Sequence, residues 1–130
     1  MGAQPVVALV PLGAPRGRRS WTIRHNGRRY AVFDVEGVLE VTDARCPHNG
    51  GPLARGVIRD GVVTCPWHWY CFELRSGRCL TASGYQLRKY PVISCDGRSY
   101  AELPGGERWP RWRRLLRADS RLRQSGARFG

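Results

Sequence analysis

The feature that most constrains this chain is a pair of short loops with the same two reactive residue types. Residues 46–51 read CPHNGG and residues 65–68 read CPWH, so each loop offers one thiol and one imidazole. Sixteen residues separate His48 from Cys65. Thiolates and imidazoles are the side chains that bind soft and borderline metal ions. The two loops therefore predict one metal centre, with two ligands from each loop.

The segment between the loops predicts how they meet. Residues 56–58 (GVI) and 62–64 (VVT) are short β-prone runs on either side of Asp60-Gly61. An Asp-Gly pair in this position is typical of a two-residue hairpin turn. Because a hairpin returns the chain to the end at which it began, we expect the two loops to lie next to each other.

Two kinds of metal centre fit these ligands. Two cysteines and two histidines can hold one tetrahedral zinc ion, but zinc fingers usually take both cysteines from one turn and both histidines from one helix. Here each loop supplies one of each. This interleaving favours a two-iron cluster in which one iron binds both cysteines and the other binds both histidines. The alternative is a zinc ion that joins the loops in a non-redox interaction module.

The pattern C-x-H, sixteen residues, then C-x-x-H resembles the Rieske [2Fe–2S] motif. Residues 5–103 are also similar to the small Rieske-type ferredoxins, which include the ferredoxin components of ring-hydroxylating oxygenases and the small subunit of assimilatory nitrite reductase. The resemblance implies one [2Fe–2S] cluster bound by Cys46, His48, Cys65 and His68. It also implies that electrons leave through exposed histidines at the tip of the cluster.

Residues 1–104 predict β-structure throughout, since short apolar runs alternate with turn dipeptides such as Asn26-Gly27 and Asp96-Gly97. Beyond the hairpin described above, strands are expected at residues 6–10, 21–23, 30–35, 38–42, 72–74, 87–93 and 99–103. No helical pattern precedes residue 105. The expected fold class is all-β, an antiparallel β-sandwich or barrel. The resemblance adds a small cluster-binding subdomain formed by the two loops.

Charge divides the chain at about residue 104. Residues 1–104 carry a net charge of +6, and residues 105–130 carry another +6 from eight arginines, Glu107 and Asp119. We expect residues 1–104 to form the Rieske-like domain and residues 105–130 to form a disordered tail or a short surface helix. Docking of the tail on an acidic partner is the first alternative. Nucleic-acid binding is not expected, because no nucleic-acid-binding module accompanies the charge.

The sequence also indicates the cellular compartment in which the protein acts. The sequence has no apolar run of membrane-spanning length and no recognisable signal peptide, which predicts a cytoplasmic protein without a transmembrane segment. A reducing cytoplasm disfavours disulfides. Cys71, Cys79 and Cys95, which lie outside the two loops, are therefore expected to be buried small hydrophobic residues or free thiols. A Cys71–Cys79 disulfide is the alternative. His25 lies beside the first hairpin turn and is expected to be exposed.

A two-iron cluster with four protein ligands has no open position for a substrate, which predicts an electron carrier rather than a catalyst. The leading interpretation is a ferredoxin that passes electrons from a flavin reductase to a terminal oxygenase. The alternative is the small subunit of a nitrite reductase, bound to its large subunit. In either case the basic charge predicts acidic partner proteins. Arg45, Arg55 and Arg59 lie near the loops in sequence and could form the docking face.

At five positions near the loops, the residue differs from the one found in relatives of the family that this chain resembles. Respiratory-complex Rieske proteins have a disulfide at the positions of Gly51 and Trp67, and Ser and Tyr hydroxyls against the sulfurs at the positions of Tyr70 and Phe72. Trp69 replaces a glycine that usually follows the second histidine. We therefore expect the backbone at Trp69 to take a different conformation from that of its relatives.

The loss of a hydroxyl at Phe72 predicts a low reduction potential. A hydrogen bond to a cluster sulfur stabilises the reduced, more negative state, and a phenyl ring cannot donate one. We expect a midpoint near the negative end of the Rieske range of about −150 to +300 mV. Protein-film voltammetry measures this quantity, and a midpoint above about +100 mV would contradict the prediction.

Overall fold

The computed structural model describes residues 7–105, and this part of the chain is built from β-strands. Ten strands and one 3₁₀ turn (Leu53–Arg55) follow one another, and no α-helix occurs within the described range. The strands are β1 (Val7–Pro11), β2 (Ser20–His25), β3 (Arg28–Val35), β4 (Val38–Asp43), β5 (Val57–Arg59), β6 (Val62–Thr64), β7 (Cys71–Glu73), β8 (Lys89–Tyr90), β9 (Val92–Cys95) and β10 (Arg98–Pro104). The predicted all-β fold class is confirmed.

The strands form three antiparallel sheets. Two of them are the base of the domain: one has the order β1-β10-β9 and the other has the order β2-β3-β4-β8. The third sheet has the order β5-β6-β7, and we call it the ligand sheet because it carries the second loop between β6 and β7. The first loop follows β4, at the end of the four-stranded base sheet.

Two-residue turns join neighbouring strands wherever the sequence predicts them. In each turn both central residues have a positive φ, between 52° and 91°. Such turns have a twist that matches the right-handed twist of the flanking strands. The turns are Asn26-Gly27, Glu36-Gly37, Asp60-Gly61 and Asp96-Gly97. The predicted hairpin between the two loops is thus confirmed, with Val57 paired to Thr64.

Strand β3 is buried on both faces and separates two hydrophobic cores. Successive side chains on a strand point to opposite faces, so Tyr30 and Val32 enter one core while Ala31 and Phe33 enter the other. The first core lies between the base sheets and also contains Leu12, Trp21, Val41, Tyr90, Ala101 and Leu103. The second lies beneath the ligand sheet and also contains Cys46, Leu53, Val63, Cys65, Phe72, Leu74, Cys79 and Leu87.

The prediction of one continuous strand over residues 87–93 is wrong, because the chain changes sheets at Pro91. Strand β8 pairs with β4, with Tyr90 opposite Val41, whereas β9 pairs with β10. Proline has no N–H with which to continue a ladder. Its carbonyl oxygen instead accepts a hydrogen bond from the Glu102 N–H at 2.9 Å. One short segment therefore contributes a strand to each base sheet.

Two expectations concern the limits of the domain. Strand β10 ends at Pro104, and the predicted Arg-rich tail beyond Gly105 lies outside the described residues. Nothing among residues 7–105 forms a helix with the length and apolarity needed to cross a bilayer.

Gly77 provides a test of the packing between the turn after β7 and the segment that leads into β8. Its φ is 79°, and a Cβ added there would collide with the Leu87 carbonyl. Gly97 has nearly the same φ, 75°, but open space around it. We expect Gly77→Ala to lower the free energy of unfolding by about 3 kcal/mol or more, and Gly97→Ala by about 1 kcal/mol.

Chemical denaturation of the iron-loaded protein, followed by far-ultraviolet circular dichroism, measures both losses. The Gly97→Ala variant is the matched control, because it introduces the same left-handed strain without the collision. Equal losses in the two variants would contradict the close approach at Gly77.

Candidate metal centre

The first ligand loop, residues 44–52, doubles back on itself after β4. The Cys46 N–H donates a hydrogen bond to the Gly51 carbonyl at 2.8 Å, and the Gly50 N–H donates to the Cys46 carbonyl at 2.7 Å. At the base of the loop, the Leu53 N–H donates to the Ala44 carbonyl at 3.0 Å. These bonds fix the backbone of the cysteine and position the histidine two residues later.

The second ligand loop, residues 65–70, joins β6 to β7 of the ligand sheet. The last pair of that ladder is Thr64 with Cys71, and the Cys65 N–H donates to the Tyr70 carbonyl at 2.7 Å. The loop is therefore closed at its base in the same way as the first loop. Its four central residues form the turn that carries the second histidine.

His68 and Trp69 are both in the left-handed region, with φ values of 66° and 62°. The expectation that Trp69 takes a different backbone conformation from that of its relatives stays a prediction. Trp69 takes a conformation that glycine adopts without steric cost, although the Cβ of the tryptophan makes it less favourable by about 1 kcal/mol. Its side chain is 71% exposed. The tryptophan therefore does not fold back over the loop.

Asn49 joins the two ligand loops. Its Nδ2 donates to the Trp67 carbonyl at 2.8 Å, while its Oδ1 accepts a hydrogen bond from the Gly51 N–H at 2.9 Å. The same oxygen lies 3.6 Å from the Cys65 Sγ. The prediction that the loops meet is thus confirmed. Sequence reasoning missed the role of Asn49, because one of its partners lies in the other loop.

The two thiols lie side by side inside the second core. Cys46 is 2% exposed and Cys65 is fully buried. Burial raises the pKa of the Cys65 thiol, and the adjacent Cys46 thiol raises it further. The Trp67 N–H donates to the Cys65 Sγ at 3.4 Å and acts in the opposite direction. The raised pKa favours the protonated form of the Cys65 thiol, so metal binding at this residue must displace a proton.

The two imidazoles lie nearer the surface. The ring centres of His48 and His68 are 6.0 Å apart with perpendicular planes. His48 stacks on Tyr70 at 3.7 Å and meets the edge of Tyr85 at 5.2 Å, whereas His68 is exposed. Tyr85 lies in the segment between β7 and β8, outside both ligand loops. No local signal could have found this contact, because 36 residues lie between His48 and Tyr85.

The donor set fits a two-iron cluster. The Nδ1 of His48 is buried and has no hydrogen-bond partner among residues 7–105, which leaves its lone pair available to a metal. Within the same range, no group of three or more His, Cys, Asp or Glu side chains is arranged around a single ion. The candidate ligands instead form a pair of thiols and a pair of imidazoles. This is the division of ligands that a cluster with one Cys₂ iron and one His₂ iron requires.

Gly51 and Trp67 are in contact, at the two positions where respiratory-complex relatives place a disulfide. A Cβ on Gly51 would lie 2.7 Å from the Cys65 Sγ and 3.1 Å from the Trp67 ring. Trp67 is half-exposed. A side-chain ring packed over a glycine therefore takes the place of a covalent bridge, and only glycine leaves room for the thiol.

The remaining cysteines and His25 lie apart from this arrangement. Cys71, Cys79 and Cys95 are free, as predicted. Cys79 pairs with Phe72 on the neighbouring segment, so its side chain and that of Cys71 point to opposite faces. The prediction that His25 is exposed is wrong: the residue is half-buried, and its Nε2 is buried without a hydrogen-bond partner among the described residues.

The three arginines predicted near the loops do not lie together. Arg45 and Arg55 line an open groove beside the first ligand loop. Arg59 lines a different pocket, among the carboxylates of Asp34, Glu36 and Asp60. The expected docking face therefore excludes Arg59.

Comparisons with known proteins agree with this geometry. The model of the Rieske [2Fe–2S] domain family matches residues 10–91. The chain is 37% identical over 73 residues to the 3-phenylpropionate/cinnamic acid dioxygenase ferredoxin subunit of Photorhabdus laumondii, a match that covers 54% of this chain and 69% of the relative.

Two solved structures show the same fold. A chain in the complex of reduced oxygenase and oxidized ferredoxin of carbazole 1,9a-dioxygenase has a TM-score of 0.65 and 19% identity; the match covers 82% of this chain and all of the other. A protein described as the small subunit of an NADPH nitrite reductase has a TM-score of 0.63 and 21% identity, over 72% of this chain and 97% of the other.

The fold and the paired donors define an iron–sulfur electron-transfer protein. The chain belongs to the Rieske [2Fe–2S] domain family. It therefore carries one [2Fe–2S] cluster and transfers single electrons through it. The choice between zinc and an iron–sulfur cluster, which the ligand types left open, is decided by the family.

The histidines provide the sharpest test of the ligand assignment. Substituting either candidate, His48→Ala or His68→Ala, removes one of only two protein ligands from an iron, so we expect loss of most of the bound iron and acid-labile sulfide. The matched control is His25→Ala, which alters the only other histidine. Iron and sulfide analysis with electron paramagnetic resonance measures the cluster content. A full cluster in His48→Ala would exclude that residue as a ligand.

Proposed function

We propose that this chain is the ferredoxin component of an oxygenase system, in which it passes one electron at a time from a reductase to a terminal oxygenase. Cys46 and Cys65 bind one iron, and His48 and His68 bind the other. The observation that carries this proposal is a pair of buried thiols and a pair of neighbouring imidazoles on two joined loops, with an unpartnered buried Nδ1 on one imidazole. The dioxygenase ferredoxin subunit of Photorhabdus laumondii supports the oxygenase context.

The four candidate ligand side chains differ in burial, so the two sides of the metal centre differ in their accessibility to a partner. The thiols lie in the second core, whereas His68 is exposed and His48 is half-buried. A partner that docks over the tips of the ligand loops therefore reaches the imidazole side first. Electrons would enter and leave on this side, while the thiolate side stays shielded from water.

Two exposed aromatic side chains lie beside the outer histidine. Trp67 is 51% exposed and Trp69 is 71% exposed, so neither is buried by packing within its own loop. Tryptophans in such positions are frequent anchors in protein–protein interfaces. They supply apolar contact area immediately around the exit path for the electron.

The ligand set supports a carrier rather than a catalyst. When bound, the cluster supplies one reversible electron. Because both irons have their protein positions filled, neither presents an open site to a substrate. The protein itself buries the thiols and holds the imidazoles near the surface. Its basic residues would offset the negative charge that the cluster gains on reduction.

Several features of the partner and the setting belong to the proposal. The reductase and the oxygenase would present acidic surfaces, since residues 1–104 carry a net charge of +6. The redox domain would span residues 1–104, with residues 105–130 as an Arg-rich extension. The protein would act in the cytoplasm, where reducing conditions keep the free thiols Cys71, Cys79 and Cys95 unpaired.

The small subunit of an assimilatory nitrite reductase is a second candidate. One observation favours it: a protein described as such a subunit matches this fold over 97% of its own length. In that setting the chain would be a fixed part of a larger enzyme rather than a diffusing carrier. Co-purification with a large sirohaem subunit supports the second candidate, and a neighbouring oxygenase gene supports the first.

The ionic-strength dependence of electron transfer tests the carrier proposal. We expect the second-order rate constant for reduction of the partner oxygenase to fall about tenfold between low and high salt, because screening weakens attraction between a basic carrier and an acidic partner. Stopped-flow absorption of the reduced, iron-loaded protein measures this rate. A rate that does not respond to salt would contradict a diffusing carrier with an acidic partner.

A further inference from the structure

An open groove of about 1160 Å³ lies beside the first ligand loop. One wall is the tip of the β2–β3 hairpin, and the other wall is the first ligand loop with the 3₁₀ turn that follows it. Five arginines line the groove: Arg24, Arg28 and Arg29 from the hairpin, and Arg45 and Arg55 from the opposite wall. We call this feature the arginine groove. Its hairpin wall is separated from the ligand loops in sequence, so no local sequence pattern predicts the groove.

The positive charge of the groove is poorly compensated. Asp43 is the single acidic residue among its lining residues. That carboxylate already accepts a hydrogen bond from the Tyr90 hydroxyl at 2.6 Å, and it lies 3.6 Å from the Arg28 guanidinium. Among residues 7–105, none of the other four arginines forms an ion pair; the only other salt bridge joins Lys89 to Glu40, outside the groove.

Two of these arginines oppose each other directly. In the register of β2 and β3, Arg24 pairs with Arg29. Like charges at directly opposed positions of an antiparallel ladder destabilise the pair. Both residues are exposed, so solvent screens part of this repulsion. An anionic group placed between the two guanidinium groups would relieve the remainder, because each guanidinium would then have a partner.

The far end of the groove reaches the metal centre. Its lining residues include Cys46, Pro47, Asn49 and Trp67. An occupant of the groove therefore lies alongside the ligand loops without covering the exposed His68. Such a position orients a partner protein while leaving the imidazole tip free for electron transfer.

We propose that the arginine groove binds an acidic segment of the redox partner, rich in Asp and Glu, and so sets the docking orientation. This inference rests on the proposed function. Carboxylates suit the groove because guanidinium groups bind them through paired hydrogen bonds. Single-stranded nucleic acid is less suited, since its binding relies on stacking on aromatic side chains and Trp67 is the only aromatic residue in the lining.

The chain itself cannot supply the occupant. Residues 105–130 contain eight arginines and only two acidic residues, and a second copy of the chain carries the same net charge of +12. Both would be repelled by the groove. We therefore assign the acidic segment to the partner protein.

The test compares two variants of equal charge. Arg24→Gln with Arg29→Gln removes the opposed pair in the hairpin, and the control, Arg59→Gln with Arg98→Gln, removes two exposed arginines outside the groove. The probe is a dye-labelled hexaglutamate peptide, whose binding to the iron-loaded protein is followed by fluorescence anisotropy at low salt. We expect the groove variant to bind about fivefold more weakly than the control.

Two further measurements distinguish a folding defect from the loss of a binding site. The groove variant should keep its cluster absorption and melt no lower than the parent protein, because the substitution removes a like-charge pair. If it melts lower, Arg55→Gln repeats the test from the opposite wall of the groove, with Arg59→Gln as its control. The prediction is then again weaker peptide binding in the groove variant alone.

Three outcomes would overturn the proposal: no binding of the peptide, equal weakening in groove and control variants, or tighter binding of hexathymidylate than of hexaglutamate at the same groove. The last outcome would replace the acidic segment with nucleic acid. If electron transfer to the oxygenase persists while any of these results is found, the groove assignment fails and the proposed function stands. A protein without a redox-active cluster would instead remove the proposed function.

Discussion

The hydrogen bonds of Asn49 are the interaction on which the metal centre depends. Each ligand loop is closed by its own backbone bonds, but neither loop alone has enough ligands for a cluster. The Asn49 amide joins the first loop to the Trp67 carbonyl of the second. The β5–β6 hairpin brings the loops to the same end, and this side chain, together with the Trp67 ring over Gly51, joins them at the tip. Pre-positioned ligands of this kind are what a cluster of fixed geometry requires.

Strand β3 connects this centre to the rest of the domain. Its alternating side chains enter both cores, with Val32 on the side of the base sheets and Phe33 on the side of the buried cysteines. The cysteines therefore pack in a core beside a strand whose opposite face is packed in the other core. Well-packed interiors deform little and transmit strain. The ligand loops are thereby supported on a rigid surface, while the histidines and tryptophans at their tips remain open to a partner.

Sequence reasoning predicted the parts of this structure that short-range chemistry determines. Turns such as Asn26-Gly27 and Asp60-Gly61 follow from two adjacent residues, and the candidate ligands follow from their spacing. The division of one predicted strand at Pro91 was missed, because apolar patterning does not show which sheet a segment joins. Tyr85 against His48 and the hairpin arginines beside Arg45 were missed for a related reason: these contacts join distant segments. Trp69 shows a third limit, since the closed loop imposes a conformation that the residue itself disfavours.

The presence of both ligand thiols within the second core has a consequence for the amount of protein in a cell. Cys46 and Cys65 contact the same buried side chains that hold the ligand sheet to the base. A cofactor that binds the native chain more tightly than the unfolded chain stabilises the native state by mass action. Supply of iron and sulfide would then govern how much of this chain survives proteolysis, in addition to how much of it is redox-active.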